Sequence, residues 1–102
     1  MSEDRAQALV HVDNDHVTVT EWRFAPGAAT GWHRHGYDYV ITPVIGGDVE
    51  IVHPDGSRTA MLMEPGQSYF REAGVEHDVI NRNPGPLVFV EVELKSRPDS
   101  QA

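Results

Sequence analysis

The sequence predicts an all-β domain in which many short antiparallel strands enclose one core. Glycine, proline, asparagine and aspartate form turn signals at short intervals along the chain. The runs between these turns are rich in valine, isoleucine, threonine and aromatic residues, which favour strands. No stretch keeps the 3.6-residue apolar period of an amphipathic helix. Short, closely spaced strands of this kind are typical of an antiparallel sandwich or barrel.

Nine segments between the turns fit strands. The clearest local connection is the turn Pro54-Asp55-Gly56-Ser57, whose composition is typical of a hairpin between the fifth and sixth strands. In chain order, we predict strands at Leu9–Val12, His16–Phe24, Gly31–His35, Tyr39–Val44, Asp48–Val52, Thr59–Met63, Ser68–Arg71, His77–Asn81 and Leu87–Leu94.

The length of 102 residues is typical of a single domain that closes its core without disulfides or structural metals. We place this domain at residues 9–95 and expect the polar segments 1–8 and 96–102 to be flexible. The chain has no cysteine, which excludes both a disulfide framework and a thiolate zinc site.

The charge balance narrows the classes of partner. Asp and Glu total 16 against 8 Lys and Arg, giving a net charge of −8. Nucleic acids and anionic membranes are bound through clustered positive charge, so neither is an expected partner. The apolar stretches are also far shorter than a membrane-spanning helix needs. A cytoplasmic location is the expectation.

Two histidines separated by one residue mark the most informative stretch. In an extended strand, His33 and His35 point to one face and Arg34 to the other. Two neutral imidazoles a few ångströms apart can hold a metal ion between them. His77 lies in a second turn-and-strand stretch and is the candidate for a third ligand.

The first stretch matches most of a known pattern, Gly-x5-His-x-His-x3-Glu-x6-Gly. Gly27, His33, His35 and Gly46 fall on its spacing, and Tyr39 stands at the glutamate position. If a regular strand holds Tyr39 inward, Asp38 faces away from the site unless a bulge reorients it.

The second stretch matches Gly-x5-Pro-x-Gly-x2-His-x3-Asn. Gly66, Gly74, His77 and Asn81 fall on that spacing, and Glu72 stands at the proline position. With both motifs present, the chain resembles the cupins, the RmlC-like superfamily, from about residue 17 to residue 94. The resemblance implies a jelly-roll β-barrel whose histidines converge inside it.

Carried over by position, the resemblance implies that His33, His35 and His77 are the metal ligands. A tyrosine is a poor ligand while it keeps its proton, so we expect a three-histidine site with Tyr39 hydrogen-bonding in the pocket as the candidate catalytic group. Nitrogen ligands suit iron, zinc or nickel, and three neutral imidazoles leave the charge of a divalent ion uncancelled. Such a site suits a small anionic ligand.

Two classes of function remain open on the sequence. One is a mononuclear metalloenzyme that oxygenates, isomerises or hydrolyses a small anionic metabolite. The alternative is a non-catalytic ligand-binding or regulatory cupin whose metal is structural or absent. The run DNDHVTVTEWRFAPGAATGWHRHGYDYV resembles small bacterial cupins linked with β-alanine degradation. Single-domain cupins commonly pair, and we predict a homodimer.

The remaining candidates have structural readings as well as functional ones. Aromatic residues fill sandwich interiors as readily as they line pockets. Asn81 suits a structural cap on a turn, and the four motif glycines suit turns with positive φ. His11, His16 and His53 are interpreted as solvated. Candidate pocket residues are Trp22, Phe24, Tyr37 and Tyr69.

Overall fold

A computed structural model describes residues 4–95, which form nine β-strands and no helix. All nine predicted strands are confirmed, although the third contains only two residues. Of the segments predicted to be flexible, 1–8 and 96–102, residues 1–3 and 96–102 lie outside the described residues. Gln7 and Ala8 belong to the first strand, which therefore begins before residue 9. The strands are β1 Gln7–Asp13, β2 Val17–Phe24, β3 His33–Arg34, β4 Asp38–Ile45, β5 Gly47–Val52, β6 Arg58–Met63, β7 Tyr69–Arg71, β8 Glu76–Asn81 and β9 Leu87–Leu94.

The strands form two antiparallel sheets. One has five strands in the order β1-β2-β9-β4-β7, and the other has four in the order β3-β8-β5-β6. A short connection links them, since Ala29 pairs both with Arg5, just before β1, and with Ile80 in β8. The two-sheet arrangement agrees with the predicted fold class, and closure into a complete barrel stays a prediction.

One apolar core lies between the two sheets. In β2, Thr20 and Phe24 are buried, which identifies the inward face of that strand. The Phe24 ring lies 5.4 Å from that of Phe89 in β9, and the two form a tilted aromatic pair. Side chains of both sheets therefore share one interior. The buried cluster comprises Phe24, Ala28, Tyr39, Ile41, Val49, Met63, Val79, Leu87 and Phe89.

The predicted hairpin joins β5 to β6. The amide of Gly56 donates to the carbonyl of His53 (2.9 Å), and the amide of His53 donates to Ser57 (2.8 Å). Asp55 accepts a further hydrogen bond from the amide of Ser57 (2.8 Å). Gly56 has a φ of 86°, a conformation that glycine adopts without steric cost.

The prediction that all four motif glycines serve turns with positive φ is confirmed for three of them and wrong for Gly46. Gly27, Gly66 and Gly74 have φ values of 81°, 80° and 101°. At Gly46, a Cβ would collide with the carbonyl oxygen of Met63. Close approach of two backbones therefore explains this glycine.

Asn81 is a structural cap, as its position suggests. The side chain is fully buried, and Nδ2 donates to the carbonyls of Gly85 (3.0 Å) and Ala25 (3.2 Å). Its Oδ1 accepts from the amide of Asn83 (2.9 Å). These bonds join the loops at one end of β8. The described residues contain no helix with the length and apolar character that crossing a membrane requires.

Candidate metal centre

Three histidine side chains meet inside the fold. His33 in β3 and His77 in β8 are cross-strand partners, and His35 follows β3. The Nε2 atom of His35 lies 3.0 Å from Nε2 of His33 and 3.3 Å from Nε2 of His77. Two imidazole nitrogens bound to one ion at about 2.0–2.1 Å would lie about 3 Å apart. The three rings are therefore spaced to hold a single ion.

The backbone fixes the orientation of His33. Nδ1 of His33 lies 2.9 Å from the carbonyl oxygen of Gly31. Because a carbonyl oxygen only accepts, Nδ1 carries the hydrogen, and Nε2 turns its lone pair to the other histidines. Asp78 fixes the loop that contains Gly31, because its Oδ1 accepts a hydrogen bond from the amide of Gly31 (3.0 Å). Asp78 thus supports the candidate ligand His33 through one backbone group.

Two of the three imidazoles are held neutral. Burial, reinforced by the neighbouring His33, lowers the pKa of His35 to about 4. Burial, and then the charges of His33 and His35, lower the pKa of His77 to about 3. A metal binds the deprotonated ring, so both are ready ligands at neutral pH.

Tyr39 stands beside the three histidines as a neutral phenol. Its ring stacks on that of His35, with centroids 3.8 Å apart and an angle of 16° between the planes. Burial raises the pKa of Tyr39 above its ordinary range, which disfavours the phenolate that would bind a metal. Asp38 is engaged elsewhere, because its Oδ1 accepts the amide of Ala73 (2.8 Å). The irregularity in β4 lies between Pro43 and Ile45, away from Asp38.

Two glutamates that we did not single out from the sequence line the same site. Glu91 and Glu93 in β9 lie with Oε2 at 3.9 and 4.0 Å from Nδ1 of His35. Burial, and then the charge of Glu93, raises the pKa of Glu91 to about 7. A sequence signal does exist: in β9 both acids share the strand face of Leu87 and Phe89, which are buried.

A cavity of about 590 Å³ opens from the histidines. Among the four candidate pocket residues, Trp22 and Tyr69 line it. Phe24 lies in the core at 1% exposure, and Tyr37 is 43% exposed ahead of β4. A volume of this size accommodates a small metabolite.

Polar groups are spread over the cavity wall. Arg71 lies over the ring of Tyr69, 4.4 Å from its centroid, in a cation–π contact. His53, interpreted from the sequence as solvated, lines the cavity and hydrogen-bonds through Nε2 with Oγ1 of Thr59 (2.9 Å). His11 instead pairs with Glu21 (2.9 Å) and does not line this cavity.

Comparisons with known proteins agree with this geometry. The family model described as "Cupin domain" matches residues 20–93. A curated relative from Pseudomonas aeruginosa, the "Beta-alanine degradation protein BauB", is 57% identical over 93 residues. That alignment covers 89% of this chain and 97% of the relative.

Solved structures show the same fold. A cupin domain from Bordetella pertussis Tohama I superposes with a TM-score of 0.90 at 46% identity, covering 94% of this chain and 99% of the other. The polyketide cyclase RemF from Streptomyces resistomycificus superposes with a TM-score of 0.68 at 24% identity, covering 96% of this chain and 72% of the other. At that identity, the likeness to RemF concerns the fold alone.

Proposed function

The chain belongs to the cupin family, and from this membership and its three converging histidines we propose that it binds one divalent transition metal and acts on a small anionic metabolite. The observation that carries the proposal is the spacing of the Nε2 atoms, 3.0 and 3.3 Å. Iron, zinc and nickel all accept imidazole nitrogen. When bound, the ion would supply Lewis acidity or, as iron, oxygen chemistry.

The residues around the histidines suit a small ligand with a carboxylate. Arg71 lines the cavity with its guanidinium over Tyr69, and its Nη1 donates to the carbonyl of Phe70 (3.0 Å). The other N–H groups of the guanidinium could bind an anion. Tyr39, kept protonated by burial, can donate a hydrogen bond to a ligand oxygen. In this proposal Tyr39 acts as a donor, not as a metal ligand or a base.

The name of the Pseudomonas relative narrows the proposed ligand. We place this chain in β-alanine degradation, with β-alanine or a short carboxylate derived from it as the ligand. The identity of 57% and the coverage of 97% of the relative support this transfer. The cytoplasmic location predicted from the composition is part of the same proposal.

The test uses protein loaded separately with iron(II), zinc or nickel. Thermal unfolding and product formation are followed with β-alanine, three-carbon carboxylates and β-amino acids, and propanamide serves as the uncharged control. We expect the carboxylates to stabilise the loaded protein and the amide to have no effect. Turnover supports an enzyme, and stabilisation without turnover supports the ligand-binding alternative. Absence of both in all three metal forms would contradict the proposal.

The outer face of the five-stranded sheet supports the proposed homodimer. The strand registers align one apolar residue from each strand in a single row. Exposure at the two ends of the row is high, 40% at Val12 and 50% at Phe70. A second copy would cover this face and the edge strand β1. The row comprises Val12, Val19, Val92, Val40 and Phe70.

Light scattering after size exclusion tests the dimer. The chain mass is 11.3 kDa, so we expect a species of about twice that mass. A charged substitution inside the row, Val19→Glu, is expected to shift the protein to the monomer. A species of 11.3 kDa alone at high concentration would contradict the homodimer.

A further inference from the structure

The position where the motif has a glutamate is neighboured by two glutamates of another strand. Residue 39 is a tyrosine, and its cross-strand partner in β9 is Glu93. The next inward residue of β4, Ile41, pairs with Glu91. The carboxylate missing at residue 39 therefore has counterparts on the adjacent strand, on the same inner face of the sheet.

These carboxylates face the side of His35 that is turned away from the other histidines. The Nε2 atom of His35 points to His33 and His77, at 3.0 and 3.3 Å. Its Nδ1 atom has the two Oε2 atoms at 3.9 and 4.0 Å. The two nitrogens point in diverging directions on either side of Cε1, so the carboxylates face the nitrogen that an ion held at Nε2 would leave free.

The carboxylates of Glu91 and Glu93, the first buried and the second partly buried, need a hydrogen-bond donor. Glu91 is only 9% exposed, and no lysine or arginine among residues 4–95 forms an ion pair with Glu91 or Glu93. An uncompensated carboxylate is costly to bury. The buried indole N–H of Trp22 makes no hydrogen bond of ordinary geometry within the described residues. An N–H at Nδ1 of His35 is the complementary donor.

We propose that Glu91 and Glu93 are positioning residues for His35, holding the hydrogen on Nδ1 so that Nε2 offers its lone pair to the metal. The inference rests on the proposed metal site. At 3.9 Å the interaction is electrostatic, and a shift of about 1 Å by either carboxylate makes a hydrogen bond. A carboxylate behind a ligating histidine fixes its tautomer and raises its basicity. In this proposal the negative charge that the motif glutamate would supply by binding the ion comes instead from Glu91 and Glu93, through the ring of His35.

The experiment measures two properties of full-length protein labelled with ¹⁵N-histidine. Long-range ¹H–¹⁵N spectra report the tautomer of His35 with and without zinc, and chelator competition reports zinc affinity. The test variant is Glu91→Met/Glu93→Met, which removes both acceptors at similar side-chain length. Glu91→Gln/Glu93→Gln removes the charges but keeps one acceptor oxygen in each side chain, and it serves if the methionine variant does not fold. The matched control is Glu64→Gln/Glu72→Gln, at two exposed positions.

We expect His35 in the wild type and the control to carry its hydrogen on Nδ1. The methionine variant should lose this preference and bind zinc about 10- to 100-fold more weakly, with a smaller loss in the glutamine variant. Unchanged tautomer and affinity in both test variants would overturn the inference. If the wild type binds no zinc, the proposed function fails, and the tautomer in metal-free protein still decides the role of the acids.

Discussion

The two sheets bring opposite chemistry to one cavity. The four-stranded sheet contributes His33 and His77, which we call the histidine wall, and the five-stranded sheet contributes Glu91 and Glu93, the acid wall. His35 lies between the walls, with one ring nitrogen turned to each. The proposed ligands His33 and His77 and the acids proposed to position His35 thus come from separate sheets, so each wall can be altered without removing the other.

Removal of one ligand from the histidine wall should have the largest effect. His77→Ala leaves two imidazoles, and we expect zinc affinity to fall by more than about 100-fold, because one of the three proposed ligands is lost. His53→Ala is the matched control, since His53 also lines the cavity but bonds to Thr59. Chelator competition should show that the His53→Ala variant binds zinc as tightly as the wild type. Equal losses in the two variants would remove the distinction between ligand and lining residue.

Removal of the ring that stacks on His35 should have the next largest effect. Tyr39 is 2% exposed and stacks on His35, so Tyr39→Ala leaves a cavity and should lower the free energy of unfolding by about 3 kcal/mol or more. Tyr39→Phe keeps the ring and is expected to cost less than about 1.5 kcal/mol. Urea unfolding of the metal-free proteins measures both. A phenylalanine variant as unstable as the alanine variant would mean that the hydroxyl, not the stack, stabilises this site.

The pH dependence of stability should distinguish the buried histidines from the buried glutamate, with a smaller effect. The pKa values of His35 and His77 fall from 6.5 to about 4 and about 3 on folding. Between these values the unfolded chain binds more protons, so the metal-free protein loses stability as the pH falls below about 6.5. Glu91 has the opposite sign: its pKa rises from 4.5 to about 7, so its contribution is present below pH 4.5 and lost as the pH rises through 7.

The substitution Glu91→Gln isolates the contribution of Glu91 to the pH dependence of stability. Glutamine carries no proton to lose, so we expect the metal-free variant to gain stability relative to the wild type at pH 8 and not at pH 4. Urea midpoints measured from pH 4 to pH 8 give the difference directly, and Glu64→Gln is the control. A constant difference across that range would show that Glu91 titrates normally in the folded protein.

The pairing of His33 with His35 could be predicted from the sequence because the information for it is local. His33 and His35 share a strand face through their spacing alone, and turn residues delimit their stretch. His77 joined them through the spacing of the second motif. The strands could also be predicted from the sequence, because turn residues separate them. The hydrogen bond that orients His33 is also local, reaching back two residues to Gly31.

The acid wall could not be placed in the same way. Glu91 and Glu93 reach the site through the register of β9 against β4, which joins residues about fifty positions apart. In the sequence they continue an alternating strand and fall in neither motif. The fold also decides which aromatic candidates line the cavity. Trp22 and Tyr69 do, whereas Phe24 lies in the core and Tyr37 at the surface. The side chain of a strand residue can be assigned to a face, but the partner across that face depends on the fold.

The most direct test of the metal centre is X-ray absorption at the zinc edge on stoichiometrically loaded protein. Imidazole rings give a distinct multiple-scattering signature, so the ligating histidines can be counted. We predict three imidazoles per zinc at about 2.0–2.1 Å, with the remaining positions filled by light atoms. Two or fewer imidazoles, or no stoichiometric zinc after loading, would contradict the assignment of His33, His35 and His77 to one ion.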